Sequence, residues 1–159
     1  MSAPRAFATA TRLEDATGRV LIVGGTNNLG FYSQTIDIYD PTNAADPFAQ
    51  TGVSMTKARA FHTATKLTGE QKVLIAGGFD GATVQDATEV YYQVAGDFND
   101  LLSTTMTRGH DFHTANRLPS GKVVVIGGGV DGTPTAPGSG TVTELNTAPT
   151  APSTWSRRC

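Results

Sequence analysis

Phe7-Ala8-Thr9-Ala10 returns as Phe61-His62-Thr63-Ala64 and again as Phe112-His113-Thr114-Ala115, a self-similarity at a period of roughly fifty residues. Other landmarks keep the same order. The pair Gly24-Gly25 returns as Gly77-Gly78 and Gly127-Gly128, and each pair closes an apolar run: Val20 to Val23, Val73 to Ala76, Val123 to Ile126. A variable loop follows, then a segment with an acidic residue: Asp37-Ile38-Tyr39, Glu89-Val90-Tyr91, Glu144-Leu145-Asn146. An aromatic comes next, Phe48, Phe98 or Trp155. Met1, Met55 and Met106 each precede the phenylalanine of their copy by six residues. Five landmarks in one order three times make the repeat secure and divide the chain at 1–54, 55–105 and 106–159.

Each copy reads as four short strands. Stretches of Val, Ile, Thr, Tyr and Phe are broken by Gly, Asp, Asn and Pro. Asp80-Gly81, Asp131-Gly132, Gly69 and Ser120-Gly121 mark turns. The first strand is expected to start near Phe7, Phe61 and Phe112, and the second is the apolar run into the glycines. The third carries the acid and the fourth the aromatic. Continuous apolar runs such as Val123-Val124-Val125-Ile126 imply sheets covered on both faces. Small antiparallel sheets achieve that by stacking on one another, as propeller blades do. Eighteen glycines and a charged content of 16%, against about 25% in a typical soluble domain, agree with an all-β chain of tight turns.

The copy Arg59-Ala60-Phe61-His62-Thr63-Ala64-Thr65, through Val73 to Gly77-Gly78 and then Thr88-Glu89-Val90-Tyr91, resembles a Kelch repeat. It is most similar to the bacterial kind also found in galactose oxidase-like propellers. The resemblance covers nearly the whole chain and implies antiparallel four-stranded blades in a propeller of six or seven. Ala8 stands where the other copies have histidine, and Asn146 where they have tyrosine. The Thr-Pro-Thr-Ala-Pro-Gly-Ser-Gly insert of copy three should be a solvated loop, because its prolines cannot join a ladder.

Three blades are a half propeller. The chain runs as three whole units with no extra strand to clasp a ring shut, so two blade faces would be bare. Burying about 500 Å² of apolar area at each end would stabilise by about 12 kcal/mol as an upper figure, comparable to the stability of a whole domain. Two copies closing a six-bladed ring is the favoured expectation. The alternatives are a fragment of a longer propeller and an open head-to-tail assembly that polymerises into a structural subunit.

No catalytic chemistry assembles from the sequence, and the expectation is a non-enzyme without cofactor or metal. The equivalent residues His62 and His113 read as strand histidines bonded to a neighbouring blade, since a ring rotation keeps them from converging. His110 reads as a solvated loop residue or, less simply, a ligand contact. Galactose oxidase-like copper chemistry needs a cysteine cross-linked to a tyrosine, whereas the one cysteine is the terminal Cys159. That residue reads as inert, with a cross-link between chains as the other option. Ser153-Thr154-Trp155 lacks the aspartate and glycine of a sialidase box, and no helix follows Gly127-Gly128-Gly129 to hold a phosphate. A net charge of −2 gives no basic patch for nucleic acid, and no apolar run reaches membrane-spanning length. Low lysine and high threonine lean weakly toward an extracytoplasmic setting.

Binding is easier to place. In an antiparallel blade the loop entering the first strand and the loop leaving the second share a rim. That rim gathers Arg5, Arg59, Arg108 and His110 with Asn27, Asn28, Asp80 and Asp131, and is the expected surface for a protein or glycan. For any single one of these residues the favoured reading is plainer: the arginines pair with nearby acids, and the Asn and Asp residues make turns.

Overall fold

A computed structural model describes residues 1–94, 97–99, 105–129 and 142–145. Within them the chain is all-β, in three antiparallel sheets. The first has the order β1 (Thr9–Arg12), β2 (Val20–Val23), β3 (Thr35–Tyr39), β4 (Phe48–Ser54). The second repeats it with β5 (Thr63–Leu67), β6 (Lys72–Ala76), β7 (Thr88–Tyr92) and β8 (Asp97–Asn99). The third contains β9 (Thr114–Arg117), β10 (Val123–Ile126) and β11 (Val142–Leu145), with β10 central. Sequence neighbours pair in every sheet, so each blade is a simple meander. Asp131, its turn, the proline-rich insert, Asn146, Trp155 and Cys159 lie outside the described residues.

Stacking explains the unbroken apolar runs. Side chains alternate across a strand, so β6 sends Val73 and Ile75 to one face and Leu74 and Ala76 to the other. Val73 and Ile75 join Leu21, Val23, Ile36, Ile38, Met55 and Tyr91 between blades one and two. Leu74 and Ala76 join Val90, Met106, Val123, Val125 and Leu145 between blades two and three. Two cores separated by one sheet are what a blade between blades requires.

The first strand begins two residues later than its sequence motif indicates. Phe7, Phe61 and Phe112 sit at φ 56°, 59° and 52°, a left-handed conformation in which a bulky residue is an outlier. That twist interrupts the pleat, and the ladder starts at Thr9, Thr63 and Thr114. The three rings form a column, with centroids 4.5 Å apart for Phe7–Phe61 and 4.1 Å for Phe61–Phe112.

The glycine doublets serve both backbone conformation and close approach. Gly77 and Gly78 have φ 64° and 99°, and a Cβ on Gly78 would lie 2.6 Å from the Ala60 carbonyl oxygen. On Gly77 it would run into the carbonyl oxygen of His110, on the next blade.

Candidate functional site

The residues expected on the rim divide into two groups. Arg5, Arg59 and His110 stand two places before the column phenylalanines and turn inward. Arg59 is fully buried. Its Nη1 donates to the carbonyls of Gly77 and Ala87 at 2.8 and 3.0 Å, and its Nη2 to Glu89 Oε1 at 2.6 Å. Arg5 repeats the pattern with the carbonyls of Gly24 and Thr35, each at 3.0 Å, and with Asp37 Oδ2 at 3.0 Å. In blade three the position is His110, whose Nδ1 lies 2.9 Å from the Gly127 carbonyl oxygen. His110 is 0% exposed, so it is not the solvated loop residue its sequence context indicates. An imidazole here takes the place of the guanidinium on the first glycine's carbonyl.

The acids complete a structural clamp. Glu89 Oε2 accepts the N–H of Thr56 at 2.7 Å, and Asp37 accepts that of Ser2 at 3.2 Å. Each acid therefore ties the segment entering its blade to the third strand of that blade. A buried carboxylate paired with arginine and backbone N–H groups is compensated as low polarity demands. These side chains are parts of the fold.

Asn27 and Asp80 shape the loops that leave β2 and β6. Asn27 Oδ1 accepts from the N–H groups of Leu29 and Phe31, both at 3.0 Å. Asp80 Oδ1 accepts from Ala82 and Thr83, and its Oδ2 from Gln85 Nε2 at 2.7 Å. Those backbone bonds hold the Asp80 carboxyl below its ordinary pKa despite partial burial, which acts the other way. Asn28 and Arg108 are exposed.

What the sequence reading missed is apolar. Leu29 is 73% exposed and Phe31 68%, both on the Asn27 loop, and Phe7 nearby is 60% exposed. The entry segment and this loop enclose a hollow of about 570 Å³ lined by Pro4, Arg5, Phe7, Thr26, Asn27 and Asn28. A second, smaller hollow on the same loop is lined in part by Phe31 and Tyr32. The signal was available: Leu29 and Phe31 flank Gly30 within a turn that has no strand pattern to bury them.

The histidines expected to bond a neighbouring blade do so. His62 Nε2 is 2.9 Å from Thr9 Oγ1, and His113 Nε2 is 2.8 Å from Thr63 Oγ1. Burial, reinforced by the Arg59 charge, lowers the His62 pKa from 6.5 to about 3. Burial, with His110 beside it, lowers that of His113 to about 4. Both rings are neutral near pH 7. Among the described residues no three His, Cys, Asp or Glu side chains are grouped to hold a metal.

No family model matches the chain. It is 31% identical over 110 residues to the Kelch repeat-containing protein kel-10 of Caenorhabditis elegans. The same identity over the same length relates it to a Kelch repeat and BTB domain-containing protein of that nematode. Each match takes in 68% of this chain and 18% of the relative, so the chain spans less than a fifth of the proteins it resembles. With the meander blades, the glycine doublets and the arginine–acid clamps, these matches establish the repeated unit of this chain as a Kelch-type repeat.

Proposed function

We propose that this chain is a non-catalytic propeller module that binds a protein partner through its loop rim and whose open blade faces are covered by assembly. The observation that carries the rim reading is the Asn27 loop, which holds Leu29 and Phe31 out in solvent on a hydrogen-bonded turn. Besides the two bonds to Asn27 Oδ1, Asn27 N–H donates to the Phe31 carbonyl at 3.1 Å, and Gly30 N–H to that of Asn27 at 3.1 Å. A loop fixed in advance loses little entropy when bound. Exposed apolar anchors with a polar surround are the usual centre of a protein interface. A glycan would need free hydrogen-bonding groups around an aromatic ring. Asn27 Oδ1 and both Asp80 carboxylate oxygens are already bonded within their own loops, which favours a protein surface.

The test is selection of binders from a displayed peptide library against the immobilised chain, followed by titration of a Leu29→Asp/Phe31→Asp variant. The variant should melt like the parent and bind the selected peptides at least about tenfold more weakly, equivalent to about 1.4 kcal/mol. Undiminished binding by a folded variant would move the binding surface elsewhere.

A further inference from the structure

The same fitting joins blade to blade at both junctions inside the chain. Gly25 N–H donates to the Arg59 carbonyl at 2.8 Å, and Gly78 N–H to the His110 carbonyl at 2.7 Å. Phe61 N–H donates to the Phe7 carbonyl at 3.3 Å, and Phe112 N–H to that of Phe61 at 3.1 Å. The methionine that opens the incoming blade is buried each time, Met55 at 2% and Met106 at 3% exposure. The first glycine of the receiving doublet lies against the incoming imidazole. A Cβ on Gly24 would be 2.8 Å from His62 Cε1, and one on Gly77 2.8 Å from His113 Cε1.

Blade three carries the receiving half of this fitting on its outer face. A Cβ on Gly127 would meet nothing within 4 Å among the described residues. The Gly128 N–H has no backbone acceptor among the described residues. Ile126 is 44% exposed where its equivalents Val23 and Ala76 are 0% and 1%. Blade one carries the inserting half: Met1 is 51% exposed and Phe7 60%. Both halves are built from the residue types that meet at the internal junctions.

We infer that the outer face of blade three is a docking site for blade one of a second copy of this chain, an inference that rests on the reading that assembly covers the open faces. The Arg5 carbonyl of the incoming copy accepts from Gly128 N–H. Its Phe7 extends the column beyond Phe112, and its Met1 covers Ile126. One element differs. Ala8 replaces the histidine, so Thr114 receives no imidazole, and this junction is one hydrogen bond poorer than the internal two. The contact is therefore reversible, and the rim of one copy is continued by that of the next.

The experiment is absolute mass by light scattering across a wide concentration range, with reductant present so that Cys159 cannot cross-link. The parent should rise from 16.6 kDa toward twice that mass or more. Gly127→Asn tolerates a left-handed backbone and fills the receiving space, so it should stay at the single-chain mass. If that variant does not fold, Ile126→Asp puts a charge on the receiving face, where Ile126 is 44% exposed, and is read in the same way. A parent that remains single at every concentration overturns the proposal, as does a folded Gly127→Asn chain that associates like the parent. Neither substitution touches Leu29 or Phe31. Loss of association with retained peptide binding, or the reverse, separates this proposal from the rim reading.

Discussion

Arg59 occupies a position that sequence alone places on a surface loop, yet it is the largest fully buried side chain in the molecule's described part. Its guanidinium satisfies two carbonyls and one carboxylate at once. Arg59→Met would leave Glu89, 2% exposed, as a buried charge without its counter-ion. The expected cost is about 3–5 kcal/mol, read from urea denaturation; a loss below about 1 kcal/mol would mean the pair contributes no more than a surface bridge. The histidines give a second prediction at this scale. Their folded pKa values lie below the unfolded value, so between pH 6.5 and about 4 the unfolded chain binds more protons. Stability is complete above 6.5 and falls as pH drops, by up to about 1.4 kcal/mol per pH unit for each ring. Comparing unfolding at pH 7.5 and 5.5 for the parent and for His62→Gln checks this. The variant should show the shallower loss, and an equal loss would assign the slope to other groups.

At the scale of the element, the second strand of each blade shows how far patterning can be read. A run such as Val73-Leu74-Ile75-Ala76 announces two covered faces, and β6 has them. The start of the first strand was not legible, because positive φ at a phenylalanine runs against local preference. It is imposed by the column of rings and by the carbonyl-to-amide bonds that link one blade to the next. The glycine doublet allows a direct comparison. Gly77→Ala meets both an unfavourable φ of 64° and the carbonyl of the next blade, whereas Gly30→Ala meets a φ of 78° and open space. Gly30→Ala should cost about 1–2 kcal/mol from backbone strain, and Gly77→Ala clearly more, by thermal or urea melting. Equal costs would show that the doublet serves conformation alone.

For the whole molecule, the central question is how an unclosed stack is completed. Blade two has a neighbour on each side and contributes to both cores. The outer faces of blades one and three end in half-exposed apolar residues. Any second copy that binds the folded chain raises its apparent stability by mass action. The melting temperature should therefore climb with protein concentration, and the climb should vanish in Gly127→Asn. A melting temperature independent of concentration in both chains would place the open faces in permanent contact with solvent.

The repeat, the strand order and the two-faced apolar runs were determined by the sequence itself, because periodicity and β-branched composition act locally along the chain. The expectation that His62 and His113 bond a neighbouring blade also followed from repeat position. That the rim arginines pair with acids was also expected. Which acids they meet, and that Arg5, Arg59 and His110 turn inward, was decided only in three dimensions, since their partners lie on strands and loops 17 to 32 residues away. So was the exposure of Leu29 and Phe31. Apolar side chains are buried only where another element arrives to cover them, and none of the described elements does so there.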